Sequence, residues 1–178
     1  MTYKTENDIW ADMIALLNEA LTAKQVTSMT VMRSFQPIDV TGKNLVLINK
    51  ISSRRYGWRG RYNKIINNTM KHIEKYFQEM RFQINVLKKI NLDDISEITA
   101  SDIANMLIDY LLSDKGLKSL RSRGYMPLRI IDVRIPSFTN ENDNYQLNPN
   151  FDLICTVQQE IVENQDVVEG NDFTLKGV

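Results

Sequence analysis

The sequence predicts an α+β fold, a mostly antiparallel sheet with helices packed on one face and long loop insertions. Two observations carry the prediction. Apolar periodicity comes in blocks, in the order helix, two or three strands, helix, two or three strands. The links between strand blocks are short and turn-like, as in hairpins rather than crossovers. No internal repeat or low-complexity segment interrupts this order.

The first helix is expected over residues 6–24. Thr5 with Asp8 three residues later makes a capping box, and Ile9, Met13, Leu16, Leu17 and Ala20 fall on one face. Two short strands follow, over residues 29–35 and 44–51, with Pro37 and Gly42 between them and Thr41-Gly42-Lys43-Asn44 as a turn. Residues 52–68 hold two glycines, four arginines and three large aromatics without a helical period, so they read as a loop or a bulged extension. Residues 70–89 carry helix formers, yet Met80, Phe82, Ile84 and Val86 alternate with Glu79, Arg81, Gln83 and Asn85. That is a strand half-buried on one face over residues 78–87, with residues 70–77 following the parity more loosely.

A second helix starts at Thr99 or Ser101, where Thr99 and Asp102 repeat the capping box; Ile103, Met106, Leu107, Tyr110 and Leu111 share a face. It ends near residues 114–116. A helical turn over residues 117–123 stops at Gly124. Residues 128–135 and 151–162 are strands, and the polar residues 138–150 between them are a loop. One domain, residues 1–178, contains all of this, with its core at residues 6–162. An acidic C-terminal tail, residues 163–178, has room for a short strand at 172–175.

Hydrophobic residues at 43% and charged residues at 25% are globular values and exclude a disordered or fibrous chain. No apolar run approaches the roughly 20 residues of a membrane helix, and the polar N-terminus lacks the apolar stretch of a secretory signal. No membrane partner is expected, and the protein should stay in the cytoplasm or in what is assembled there. Net charge is zero but unevenly spread. Residues 51–81 hold eight Lys/Arg against two Glu, whereas residues 138–178 hold eight Asp/Glu against one Lys. Such polarity can steer a partner or dock like subunits head to tail.

Catalytic chemistry finds little support. Thr41-Gly42-Lys43-Asn44 lacks the spacing and hydroxyl of a phosphate loop. One histidine and one cysteine cannot supply a usual zinc set. The acidic clusters at 91–94 and 140–143 lack calcium-loop spacing and read as solvated loops. His72 reads as a surface or strand-pair residue and Cys155 as a buried strand thiol, so no cofactor, metal or catalytic residue is expected. The one motif-like element comprises Arg54, Arg55, Tyr56, Trp58, Arg59 and Arg61. Guanidinium forks among aromatics suit a protein interface, where Arg, Tyr and Trp concentrate binding energy. They also suit phosphate contact and base stacking, or a solvated loop with one aromatic packed back on its own core.

Four stretches resemble the phage neck and tail-terminator proteins, ring subunits that close a tail and join it to the head connector. They are Asn7-Asp8-Ile9-Trp10; Arg55-Tyr56-Gly57-Trp58-Arg59-Gly60 after a Val/Leu/Ile strand; Ser101-Asp102-Ile103-Ala104 with Leu107, Leu111 and Ser113-Asp114-Lys115-Gly116-Leu117; and Leu128-Arg129-Ile130 with Asp132-Val133-Arg134-Ile135-Pro136 and Phe151-Asp152-Leu153. The resemblance implies a virion structural protein, assembled in the host cytoplasm and not an enzyme. It implies a homohexameric ring whose partners are its own copies, the tail tube and the connector, with DNA passing through the lumen without sequence-specific binding. Two alternatives stay open: a nucleic-acid-binding module using residues 54–62, and an adjacent connector or head-completion protein. The tail after Glu163 has no counterpart in the resemblance.

Overall fold

The computed structural model describes residues 3–34, 43–67, 69–89, 96–139 and 145–165; for Trp58, Arg59, Pro127, Leu128, Asp132 and residues 137–139 and 145–147 only the backbone is described. Helix α1 spans Glu6–Ala23, and Thr5 caps it through the reciprocal box with Asp8. Hydrogen bonds from Thr5 hold the Asp8 carboxyl below its usual range. Strand β1 is Thr30–Arg33, β2 is Leu45–Ile66 and β3 is Thr69–Leu87. Helix α2, Ala100–Leu112, is capped by Thr99 and Asp102 in the same way. Helix α3, Asp114–Ser122, follows at once, with Ser113 closing one helix and capping the next. The corner is tight: a Cβ on Gly116 would stand 2.1 Å from the Tyr110 carbonyl oxygen, so only glycine fits without moving backbone. Strands β4 (Tyr125–Arg134), β5 (Ser137–Thr139), β6 (Tyr145–Leu147) and β7 (Asn150–Asn164) complete the chain.

The main sheet has the order β1-β2-β3-β7-β4, and β5 with β6 forms a separate small hairpin. Every pairing in the main sheet is antiparallel except β1 with β2, which is parallel. The α+β architecture with a mostly antiparallel sheet is therefore as the sequence predicts. Of the two forms expected for residues 52–68, a loop or a bulged extension, residues 52–66 take the second, as the bulged outer half of β2. Two local expectations need correcting. Residues 30–33 and 45–48 are parallel neighbours rather than a hairpin. The polar stretch 138–150 contributes to the β5–β6 hairpin. The expected tail strand at 172–175 lies outside the described residues.

All three helices lie on one face of the sheet. The core joins Ile9, Trp10, Met13, Leu16 and Leu17 of α1, and Ile103 and Leu107 of α2, to Met80, Phe82, Ile84 and Val86 of β3 and Phe151, Leu153, Cys155 and Val157 of β7. These alternate positions pair across strands, Met80 with Cys155 and Phe82 with Leu153, so a period of two builds one continuous apolar layer. Trp10 meets Phe82 edge to face at 5.9 Å. Tyr125 is fully buried and donates its hydroxyl to Asp12 on α1 at 3.0 Å, tying the far side of the sheet to the helix layer. Burial and the neighbouring carboxylate push that phenol well above its usual range.

Candidate assembly interface

The helix layer covers only part of the sheet. Near its start, α1 is anchored by Lys4, whose backbone N–H donates to Gln159 Oε1 at 2.8 Å and whose carbonyl accepts from Gln159 Nε2. Beyond that line β2, β3 and β7 continue as a three-stranded blade, paired as far as Ile66–Thr69 and Lys71–Asn164. Asn67, with φ of 51°, turns the β2–β3 hairpin; asparagine tolerates this left-handed conformation better than most residues. Of the candidate residues, all in β2, Trp58, Arg59 and Arg61 lie on this blade, while Arg54, Arg55 and Tyr56 pair with Glu79, Gln78 and Phe77 just before it.

A bulge shapes the segment. Tyr56 pairs with Phe77 and Gly60 with Lys75, so Gly57, Trp58 and Arg59 stand opposite Tyr76 alone. Gly57 has φ of +82°, which disfavours any residue with a Cβ. Arg54 pairs with Glu79 at 2.9 Å, and Arg61 with Glu74 at 2.8 Å. Arg55 lies over the Tyr76 ring at 4.6 Å. Tyr56 stacks on Phe77 and reaches across β3 to the Thr156 hydroxyl at 3.1 Å, yet remains 40% exposed. The structure thus brings Arg54, Arg55, Tyr56 and Arg61 together on one exposed strand. The side chains of Trp58 and Arg59 lie outside those described.

Several neighbours of this surface were not singled out from the sequence. Lys75 lies over Tyr62 at 5.4 Å and pairs with Glu160 at 3.3 Å. Lys64 stands directly opposite Lys71, a like-charge pair that weakens the hairpin tip unless an anion approaches. On the helix-free face the register aligns Arg54, Lys64, Lys71, Lys75, Arg81, Arg129 and Arg134, against Glu79, Asp152 and Glu160. Asp152 is fully buried and accepts from Arg81 Nε at 3.0 Å and Arg134 at 2.8 Å. Strand parity through residues 70–83 was the signal that would have grouped these cations, once residues 52–66 are strand.

Part of the charge polarity seen in the sequence is satisfied within the subunit. Basic β3 lies beside acidic β7, and Arg81–Asp152 and Lys75–Glu160 join them. The residues weighed for catalysis are dispersed. Cys155 is buried on the core face, where desolvation pushes its thiol up to about 12. His72 bonds Asn63 Oδ1 at 2.8 Å on the blade. Among the described residues no group of three His, Cys, Asp or Glu is placed to hold a metal, and no helix is long and apolar enough to cross a membrane.

The fold, a helix-layered sheet extended by a long blade, is similar to that of the solved sheath/tube terminator of an extracellular contractile injection system (PVC), seen by cryo-EM in the extended state. The TM-score is 0.59 at 14% identity, over 100% of this chain and 65% of that one. That likeness fixes the fold, and the chain spans just under two thirds of that protein. The family model described as E217 gateway protein gp29 matches residues 8–167. The chain belongs to this phage gateway-protein family and is a phage tail structural protein. No curated protein matches the sequence.

Proposed function

We infer that the protein is a ring subunit that closes the tail and joins it to the head connector, with six copies around a lumen and no enzymatic role. The family match over residues 8–167 carries this reading. The blade supports it: an arm that projects past its own helix layer and exposes Tyr62, Ile65 and Val162 is suited to lie against another subunit. Ring closure needs a heterologous contact, one patch meeting a different patch. The segment Arg54–Arg61 is one such patch, on the pattern of interface hot spots. Its neighbours in the virion are the tail tube on one side and the connector on the other. Light scattering across a concentration series tests the reading.

A structural role has a consequence for the two residues most often recruited to catalysis. His72→Ala and Cys155→Ser subunits should support assembly of infectious particles at near wild-type yield. A large loss in either variant, with folding unchanged in circular dichroism, would count against a purely structural role.

A second reading, contact with nucleic acid, is favoured by the helix-free face, where cations outnumber acids. It offers positive charge but no element shaped to enter a groove, which suits DNA sliding past rather than sequence readout. Any duplex binding by the purified protein should therefore be independent of sequence. It should weaken by about 10-fold or more between 50 and 200 mM salt, while subunit assembly persists. Binding that ignores salt would contradict this use of the face.

A further inference from the structure

Among the described residues, strand β2 has a neighbour on its outer side only at Leu45–Ile48, where β1 lies, and Asn49–Ile66 carries no strand on that side. An open edge this long invites indiscriminate pairing, and its cations Arg54, Arg55, Arg61 and Lys64, with the bulge at 57–59, discourage it. Arg55 and Lys64 among them select an acidic strand. The chain supplies one: residues 166–178 carry Asp166, Glu169 and Asp172 against Lys176, with Val167, Val168, Phe173 and Leu175 between them. This segment leaves β7 at the blade tip, where the Gln165 N–H donates to the Met70 carbonyl at 2.9 Å. It matches residues 54–66 in length, and the family model ends at residue 167.

We propose that residues 166–178 of one copy add as a strand to the open β2 edge of a neighbouring copy, between about Arg54 and Ile66. Main-chain hydrogen bonds supply the pairing and the acid–base match supplies the choice of partner. The contact is heterologous, tail to edge, so repeating it closes a ring, and the proposal rests on the ring reading to that extent. It also places an acidic segment beside the opposed Lys64 and Lys71 at the tip.

The test uses two full-length variants. Glu79 and Glu74 already neutralise Arg54 and Arg61 within the subunit, so one variant reverses the two remaining edge cations, Arg55→Glu with Lys64→Glu; the second change sets an acid opposite Lys71, so the hairpin itself should not suffer. The other reverses the tail, Asp166→Lys with Glu169→Lys and Asp172→Lys. Each alone should stay monomeric by light scattering at concentrations where wild type assembles. An equimolar mixture should assemble, because every tail–edge junction between unlike copies is again opposite in charge. Hydrogen exchange should show the outward-facing β2 amides over residues 54–66, those not bonded to β3, protected in the assembled wild type and unprotected in the monomer. Assembly of either variant alone, a mixture that stays monomeric, or edge protection already present in the monomer would overturn the proposal. If wild type itself never assembles, the ring reading fails. A synthetic peptide of residues 165–178 then decides the edge separately: protection of those outward-facing amides upholds docking there, and no protection overturns it.

Discussion

Trp58→Ala and Arg55→Glu subunits should melt within about 4 °C of wild type and yet fail to assemble. Trp58 stands in the β2 bulge, between Gly57 and Arg59, on an open edge beyond the helix layer. Arg55 is exposed, and its contact with the Tyr76 ring is worth about 0.5–1 kcal/mol at such a site. For a chain of this length 1 kcal/mol moves the melting temperature by about 2–4 °C, so the fold should notice little. Interface hot spots cost about 2 kcal/mol or more of binding per truncated side chain. Multiplied around a closed ring, that loss should leave monomers in light scattering and no complete tails. The opposite pattern, a melting temperature lowered by 10 °C or more in the isolated Trp58→Ala subunit with assembly retained, would make Trp58 a residue of its own core.

The largest loss of stability is expected from Asp152→Asn. Its carboxylate is fully buried in β7 on the helix-free face, and both Arg81 and Arg134 donate to it. Removing the charge leaves two guanidinium groups facing a neutral amide. Removing one partner of a buried pair costs about 3–5 kcal/mol, but these arginines are 38% and 50% exposed and can turn to water. A loss of about 2–3 kcal/mol follows, or about 5–10 °C in melting temperature. Arg134→Ala alone should cost less, because Arg81 still satisfies the carboxylate. A melting temperature unchanged in Asp152→Asn would show that this cluster does not hold the centre of the sheet together.

The helix starts were legible because each rests on two residues three apart. Thr5 with Asp8, and Thr99 with Asp102, are local hydrogen-bond devices that need no tertiary context. The core face of β3 was equally plain, since Met80, Phe82, Ile84 and Val86 alternate against one helix layer. The outer half of β2 was not. Both of its faces are largely wet, so no apolar alternation is required, and the bulge at 57–59 shifts the parity midway. Strand direction was hidden for another reason. Residues 34–44 carry turn residues whether the following strand returns or crosses over, and only the pairing of Thr30 with Leu45 shows that it is parallel. At the candidate interface, residue types suggested the patch. Its place on an open sheet edge, and the lysines of the partner strand beside it, depended on a register that composition does not encode.

A closed ring of this gateway-family chain, as inferred above, would show itself in the mass of the purified full-length protein in solution. Light scattering, with negative-stain images of the same sample, measures it. The expected result is a discrete species of six 20.7 kDa subunits that appears in projection as a ring with an open centre. A strict monomer at the highest concentrations reached, with no rings in the images, would contradict it.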